Sequence, residues 1–165
     1  MSVKHSLLAL LYEKPSHGYE LKTGFDELVQ SMWPLNAGQV YTTLDRLERD
    51  NLVESPGHDK KDRKLYTITE QGKKELWNWL KNPVERSLLK DEFYFKYLCA
   101  SHVDYQEKQN MIQVQKQTII KDVLHLTQFK KQMNQAGNQT MKLLVEGALL
   151  HLEADIKWLD MIAKD

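Results

Sequence analysis

Residues of the types that do catalytic chemistry are few and scattered in this chain of 165 residues. No GxGxxG, GxxxxGK[ST], HExxH or CxxC motif occurs, and the six histidines have no cysteine partners at zinc-ligand spacing. Asp122 and His125 stand three positions apart, as two ligands on one helix would, but a lone pair of this kind is usually an ordinary surface contact. We therefore predict no enzymatic activity, no catalytic residue, no metal site and no cofactor.

A second set of residues has the chemistry of nucleic-acid contacts. Around residues 37–50 the apolar positions Ala37, Val40, Leu44 and Leu47 are spaced by three, four and three, which is the period of a helix. The opposite face of that helix then carries Gly38, Gln39, Thr42, Asp45, Arg46 and Arg49. In a major groove, Gln can bind adenine, Thr can touch a thymine methyl group and Arg can bind guanine or phosphate. By itself the pattern is equally that of a solvated helix face, and the carboxylates of Asp45 and Glu48 favour that alternative.

A cationic loop follows this helix. Residues 52–55 and 64–69 are rich in strand-forming residues, and the loop of residues 56–63 between them contains Lys60, Lys61 and Arg63. A hairpin placed directly after a third helix is the wing of a winged helix-turn-helix, and its basic tip can reach phosphate or the minor groove. Three helices and a basic hairpin within about 70 residues are less often accidental than either feature alone.

Two further helices must position this helix and hairpin. We predict them over residues 2–13 and 19–30, with a break at residues 14–18 and a turn at residues 33–36, where Asn36 is a natural N-cap. All four prolines and five of the seven glycines lie in the first 83 residues. We therefore predict a winged helix-turn-helix domain over residues 1–83, followed by a helical dimerisation domain over 84–165. The predicted fold class is mainly α with a small β-hairpin.

Three ordered motifs resemble the PadR family of bacterial transcriptional regulators. They are His17-Gly18-Tyr19-Glu20-Leu21, the segment from Tyr41 to Glu48 with the pattern YxxLxRLE, and the segment from Arg63 to Gly72 with the pattern RKxYxxTxxG. The resemblance covers about the first 80 residues closely, and it implies a homodimeric repressor that binds DNA. It also places Tyr19 and Tyr41 near phosphate, although each could be a core ring with a solvated hydroxyl. Our candidate DNA-binding residues are Tyr19, Lys22, Asn36, Gly38, Gln39, Tyr41, Thr42, Thr43, Arg46, Lys60, Lys61, Arg63 and Lys64.

Three positions depart from the family pattern. Asn51 stands where glycine is common, and asparagine is the next best residue for a left-handed conformation. Thr42 and Gln39 replace the Pro and Ser that are frequent in the family, and both lie on the groove-facing surface. The operator sequence therefore cannot be transferred from relatives.

The second half of the chain is helical and lacks proline after Pro83. We predict a fourth helix that residues 69–72 lead into, with Leu76, Trp79 and Leu80 on one face. We also predict a buried aromatic helix over 88–100 with Cys99 in its core, a long helix over 104–135 and a last helix from about 139. Tyr105, Ile112, Ile119, Leu126 and Met133 recur every seven residues, the period of helices that supercoil around one another. Such stripes indicate a homodimer, because two long helices and one short helix cannot cover each other's apolar faces. A helical hairpin without a partner is the alternative.

An effector pocket is a further hypothesis. Leu144, His151 and Trp158 are seven residues apart on the last helix, and with Phe93, Tyr94 and Tyr97 they could line a site for a small aromatic effector. The PadR resemblance points the same way, since relatives are often released from DNA by phenolic compounds. Alternatively, these six residues belong to the core of the dimer.

Composition narrows the class of protein. With 23 Lys+Arg and 23 Asp+Glu the formal net charge is zero, so affinity for double-stranded DNA must come from local cations. The lack of any long apolar run, together with one cysteine, predicts a cytoplasmic protein without a membrane segment or disulfide framework. The sequence thus predicts a DNA-binding repressor of a pseudo-palindromic operator. The alternatives are a winged-helix protein-interaction module that does not bind DNA and a ligand-responsive regulator of MarR type.

Overall fold

The computed structural model describes residues 2–33, 35–85 and 89–164. The chain forms two compact units, Met1–Glu85 and Arg86–Asp165. Pro34 in the predicted turn and Leu88 at the predicted start of the aromatic helix lie outside the described residues. Within the described ranges no helix is long and apolar enough to span a membrane.

The first unit combines four helices with a three-stranded antiparallel sheet in the order β1-β3-β2. Its elements are α1 (Val3–Glu13), β1 (Ser16–His17), α2 (Gly18–Leu28), α3 (Ala37–Arg49), β2 (Val53–His58), β3 (Lys64–Ile68) and α4 (Glu70–Lys81). The winged helix-turn-helix architecture predicted from the sequence is confirmed. Two details differ. Residues 16–17, predicted as part of a break, pair with Tyr66 and Leu65, and β2 runs on to His58 through an irregularity between Glu54 and Gly57.

One apolar core holds this unit together. Leu7 and Leu8 of α1, Phe25 of α2, and Val40 and Leu44 of α3 have no exposed surface. Burial of each such side chain contributes about 1.5–3 kcal/mol, and the helical spacing of the residues aims them at one centre. Ala37, which we expected on the same stripe, is exposed because the packed face of α3 begins one turn later, at Val40.

The junction from α3 to α4 depends on three small or polar residues. Asn51 has φ 55°, the left-handed conformation expected for it. The Thr69 hydroxyl donates to the Asn51 carbonyl at 2.8 Å and accepts from the Gly72 amide at 3.0 Å, which caps α4. Gly72 lies directly against the Leu52 carbonyl, so a side chain there would collide with the backbone. These contacts fix where β2 and β3 leave the helical core.

The second unit consists of α5 (Glu92–His102), α6 (Lys108–Gln135) and α7 (Gln139–Ile162). Ion pairs join Lys116 to Asp160 at 2.5 Å and Lys130 to Glu146 at 2.8 Å, so α6 and α7 run antiparallel. Ile112 and Ile119 of the predicted heptad stripe pack on Leu159, and Met133 packs on Met141 in a second cluster.

Three expectations for this unit are wrong. In α5 only Ala100 is buried, and Cys99 is exposed rather than part of a core. Tyr105, the first residue of the heptad stripe, is exposed and precedes α6, which begins at Lys108. α6 and α7 pack on each other and leave most of α5, including Cys99, uncovered in the single chain. Tyr105 is exposed because it precedes the packed length of α6.

Candidate nucleic-acid interface

The outward face of α3 is open to solvent. Gly38, Gln39, Thr42, Asp45, Arg46 and Arg49 are all exposed, whereas Val40, Leu44 and Leu47 on the other face are buried. The amphipathic pattern therefore orients the helix as its spacing predicts, with the candidate contact residues on the free side.

The N-terminus of α3 is held by two of the candidate residues. The Asn36 side chain accepts from the Gln39 amide at 2.8 Å, and the Gln39 side chain accepts from the Asn36 amide at 3.2 Å. This reciprocal capping box uses the Gln39 oxygen and leaves only its amide nitrogen for a ligand. The Thr43 hydroxyl is likewise engaged, since it donates to the Gln39 carbonyl at 2.7 Å. Thr42 is exposed and makes no side-chain hydrogen bond to the described residues.

The HGYEL motif builds the contact between α2 and α3. His17 caps α2 by accepting from the Glu20 amide at 3.2 Å, and the Glu20 carboxylate accepts from the His17 amide at 3.1 Å. Gly18 lies under the Tyr41 ring, where an added Cβ would be 2.8 Å from Cζ, so the two helix starts approach closely. Tyr19 and Tyr41 remain 69% and 47% exposed, which leaves both hydroxyls available to a ligand.

The tip of the wing is organised around one carboxylate. Asp59 accepts from the backbone amides of Lys61 and Arg63 at 2.8 and 3.0 Å, and from the Arg63 side-chain Nε at 2.7 Å. The hydrogen bonds from Arg63 hold the pKa of Asp59 well below its usual range. Arg63 is thus part of the turn as well as a cation of the wing.

A second ion pair joins the wing, the hairpin of β2 and β3, to α3. Lys64 Nζ on β3 lies 2.7 Å from the Glu48 carboxylate on α3, and it also lies 5.1 Å from the centre of the Tyr66 ring. The hydrogen bond to Glu48 raises the pKa of Lys64, and burial raises the pKa of Tyr66. Because Lys64 on β3 pairs with Glu48 on α3, the wing strand and α3 lie side by side.

Half of the candidate cations are paired within the chain. Lys22 contacts Asp26, Arg63 contacts Asp59 and Lys64 contacts Glu48. Arg46, Lys60 and Lys61 form no ion pair within the described residues. Sequence reasoning treated all six alike and missed Glu20, Glu48 and Asp59 as positioning residues. Glu20 and Asp59 have a local signal, since each stands three or four positions from its partner, but Glu48 and Lys64 are sixteen residues apart.

The second unit brings together four of the six candidate effector residues. The rings of Phe93, Tyr94 and Tyr97 lie 6.0, 4.6 and 6.1 Å from that of Trp158. His151 instead lines a separate groove with Asp122 and His125. Leu144 is exposed nearer the N-terminus of α7. Seven residues of helix span about 10 Å, so one cavity within a subunit cannot hold Leu144, His151 and Trp158 together. Among the described residues no group of three or more His, Cys, Asp or Glu side chains could hold a metal ion.

Comparisons with known proteins agree with this geometry. Residues 7–78 match the model of the transcriptional regulator PadR-like family. The chain is 34% identical over 87 residues to a probable transcriptional regulator of Mycobacterium tuberculosis, covering 51% of this chain and 46% of that protein. It is 29% identical over 120 residues to the negative transcriptional regulator PadR of Bacillus subtilis, covering 70% and 65%. The chain therefore spans about half to two thirds of the length of these relatives.

Solved structures extend the likeness over both units. Bacillus subtilis PadR in complex with p-coumaric acid superposes with a TM-score of 0.75 at 25% identity, covering 98% of this chain and 96% of that one. The Vibrio cholerae virulence activator AphA, at 21% identity, shares the fold with a TM-score of 0.73 over 99% and 96% of the two chains. The HGYEL contact, the exposed face of α3 and the wing all lie within residues 7–78, the part of the chain that matches the PadR-like family of transcriptional regulators.

Proposed function

We propose that this protein is a sequence-specific DNA-binding regulator, a repressor that binds a pseudo-palindromic operator as a homodimer. The observation that carries the proposal is the contact between Lys64 and Glu48, which sets the cationic wing beside an α3 face whose polar residues are all exposed. A helix with short polar residues at its start fits a major groove, and a neighbouring hairpin reaches phosphate. Bacillus subtilis PadR has been solved in complex with operator DNA.

The contacts divide into two kinds. Thr42, Arg46 and the free amide of Gln39 contact base edges, while Lys60, Lys61 and the hydroxyls of Tyr19 and Tyr41 contact phosphate. Gly38 lets the backbone approach the groove, and Asn36 and Thr43 keep α3 in register through their own hydrogen bonds. Lys22, Arg63 and Lys64 reach phosphate only by leaving their carboxylate partners.

Residues 1–83 serve as the DNA-binding domain and residues 84–165 as the dimerisation domain. The second unit exposes large apolar side chains on all three of its helices, among them Leu98, Leu124 and Leu150. A second copy of the chain would cover these side chains. A two-fold axis would then place the two copies of α3 one turn of DNA apart, about 34–36 Å. A protein with this role works in the cytoplasm. A small aromatic effector bound at the Trp158 cluster would release it from DNA by favouring a different spacing of the two DNA-binding domains of the dimer.

The salt dependence of DNA binding tests the proposal. The probes are DNA fragments from the region upstream of the gene that encodes this chain. The dissociation constant of the protein–DNA complex is measured from low to physiological salt. We expect tight binding to one fragment with a steep loss of affinity as salt rises, because each neutralised phosphate adds about 0.9 to the logarithmic slope. A chain that acts as a protein-interaction module will bind none of the fragments. A MarR-type regulator is distinguished by the structure of its dimer, in which helices from both ends of the chain meet.

Two variants test the division of roles. Replacing Lys60 and Lys61 by Ala removes four lysines from the proposed homodimer, which lowers the salt slope by about 3.6 and weakens binding to all DNA alike. Lys73→Ala is the control, since Lys73 is a half-buried lysine on α4, away from the wing, and pairs with Glu70. Thr42→Val keeps the shape and the salt slope but changes the preferred base at one operator position. If the lysine variants change sequence preference as much as Thr42→Val does, the assignment of contacts is wrong.

A further inference from the structure

A small cavity of about 270 Å³ lies in the second unit, between the start of α5, the first half of α6 and the last turns of α7. Phe93, Tyr94 and Trp158 supply aromatic walls, and Asp91, Gln115 and Asp155 supply the polar groups. Its volume is just below the roughly 300 Å³ at which drug-sized pockets begin, so it suits a small ligand. Among the described residues, the lining contains two carboxylates and no lysine or arginine.

The two carboxylates differ in how they are used. Asp91 caps α5 by accepting from the amides of Phe93 and Tyr94 at 2.8 and 3.3 Å. Asp155 is half-buried and makes neither a hydrogen bond nor an ion pair with the described residues, whereas Asp160, one turn farther along α7, pairs with Lys116. Burial raises the pKa of Asp155 and the nearby charge of Asp91 raises it further. An uncompensated carboxylate in such a place is stabilised by a cation.

The aromatic rings beside Asp155 have the same preference. Tyr94 lies 4.6 Å and Phe93 6.0 Å from the Trp158 ring, and tryptophan has the most attractive face for a cation. Outside the cavity lining, Lys108 Nζ lies 5.6 Å from the centre of Tyr97, whose ring is 6.1 Å from Trp158, so one ring of this cluster already makes a contact of this kind. Charge and ring electrostatics therefore select the same kind of ligand by independent means.

We propose that this cavity binds a small organic cation, a protonated amine or a quaternary ammonium, with Asp155 opposite the charge and Trp158 against its apolar groups. Bacillus subtilis PadR has been solved with p-coumaric acid, a carboxylic acid. The two aspartates here disfavour an anion of that kind, so the ligand differs in charge from that one. Binding of the cation requires no DNA, and only its consequence for operator release rests on the proposed function.

Calorimetry with a matched pair of probes tests the inference. Choline is titrated into the full chain in the absence of DNA, and 3,3-dimethylbutan-1-ol, which has the same shape without the charge, is titrated in parallel. We expect saturable binding of choline and at least about tenfold weaker binding of the neutral alcohol, the difference expected of a partly desolvated cation–aromatic contact together with a carboxylate. p-Coumarate is the anionic arm and is expected not to bind in this cavity.

Two variants assign the site. Asp155→Asn should weaken choline binding about tenfold, and Glu153→Gln, which removes the same charge from an exposed position of α7, should leave it unchanged. Circular dichroism melting of both variants shows that each is folded. Absence of choline binding, equal affinity for the neutral alcohol, or full binding by Asp155→Asn would each overturn the proposal. Operator affinity is measured separately with and without choline, so failure to bind DNA bears only on the proposed function.

Discussion

The two units of this protein bury their apolar residues in different ways. Among the described residues, the first unit gathers fourteen buried apolar side chains in one cluster, from Leu7 on α1 to Leu76 on α4. The second unit has two smaller clusters, of four and three, at separate points along α6 and α7. A pair of antiparallel helices has only one shared face, while four helices and a sheet enclose a centre.

This difference indicates which unit can be stable by itself. The first unit surrounds its single buried cluster with the polar face of α3, the wing and some exposed apolar side chains such as Leu28 and Leu80. The second leaves large side chains such as Phe95, Leu98 and Leu143 more than half exposed. Extensive exposed apolar surface normally marks an interface, so we expect the second unit to depend on a second copy for its stability.

The strongest test of this comparison is to charge the exposed face of α7. We expect replacement of Leu143 and Leu150 by Glu to produce a monomer, because two carboxylates cannot be buried in an apolar interface. Operator affinity should then fall at least about 100-fold, since the DNA-binding domain of a second subunit is no longer held at high effective concentration. Sedimentation and gel shift measure the two effects. Replacement of the same two leucines by Met, which keeps the surface apolar, is the control. A double Glu variant that stays dimeric contradicts the role assigned to this face.

Truncation of a buried leucine separates the two cores. Leu44→Ala, in the centre of the first unit, should lower the free energy of unfolding by about 2–5 kcal/mol. Leu152→Ala, at a half-buried position of α7, should lower it by about 1–2 kcal/mol, because less surface leaves water when the protein folds. Urea unfolding followed by circular dichroism gives both values. Equal losses would mean that the second unit is as tightly packed as the first.

Two glycines on helices should respond with opposite signs. Gly72→Ala drives a Cβ into the Leu52 carbonyl and close to Ile68, so we expect a loss of about 1–3 kcal/mol in the first unit. Gly147 on α7 has nothing within 4 Å of the added carbon, and Gly147→Ala should stabilise the second unit by about 0.5–1 kcal/mol. Thermal unfolding of the two variants measures this. A destabilised Gly147→Ala would show that the dimer partner packs against this glycine.

The smallest expected effect concerns two ion pairs. Hydrogen bonds from Lys4 and then His5 lower the pKa of Glu75 in the first unit, and a hydrogen bond from Lys130 lowers the pKa of Glu146 in the second. A carboxyl whose pKa is lowered by folding stabilises the folded state above its unfolded pKa, and this stabilisation is lost as the pH falls through the folded value. Carboxyl NMR titration should show both below the ordinary glutamate value near 4.5. Lys4→Ala should raise the pKa of Glu75 and leave that of Glu146 unchanged.

Most of the fold could be predicted from local patterns. The spacing of Val40, Leu44 and Leu47 sets the buried face of α3, and the strand-forming residues around Tyr66 identify β3. Those signals act within a few residues, so periodicity captures them. β1 was not predicted, because its two residues become a strand only by pairing with Leu65 and Tyr66, about fifty residues later in the chain.

The candidate site was predicted less completely. Exposure of Thr42 and Arg46 follows from helix period alone, whereas the pairing of Lys64 with Glu48 arises only when the wing folds back on α3. Burial of Cys99 was expected because its neighbours are apolar, yet composition does not say which faces other elements will cover. In the second unit the sequence likewise did not separate Trp158 and Tyr94, which meet, from His151, which lies elsewhere.

The amino-acid sequence by itself determined the order of the helices and strands, the inward faces of α1 to α3 and the motifs that match a regulator family over residues 7–78, because period, capping and turn chemistry are properties of neighbouring residues. Only the tertiary structure decided which lysines pair with a carboxylate, which aromatic rings line one cavity with Asp155 and which helix faces remain exposed to solvent. Those outcomes depend on contacts between segments far apart in the chain, where a few ångströms decide whether charges pair and apolar surfaces meet.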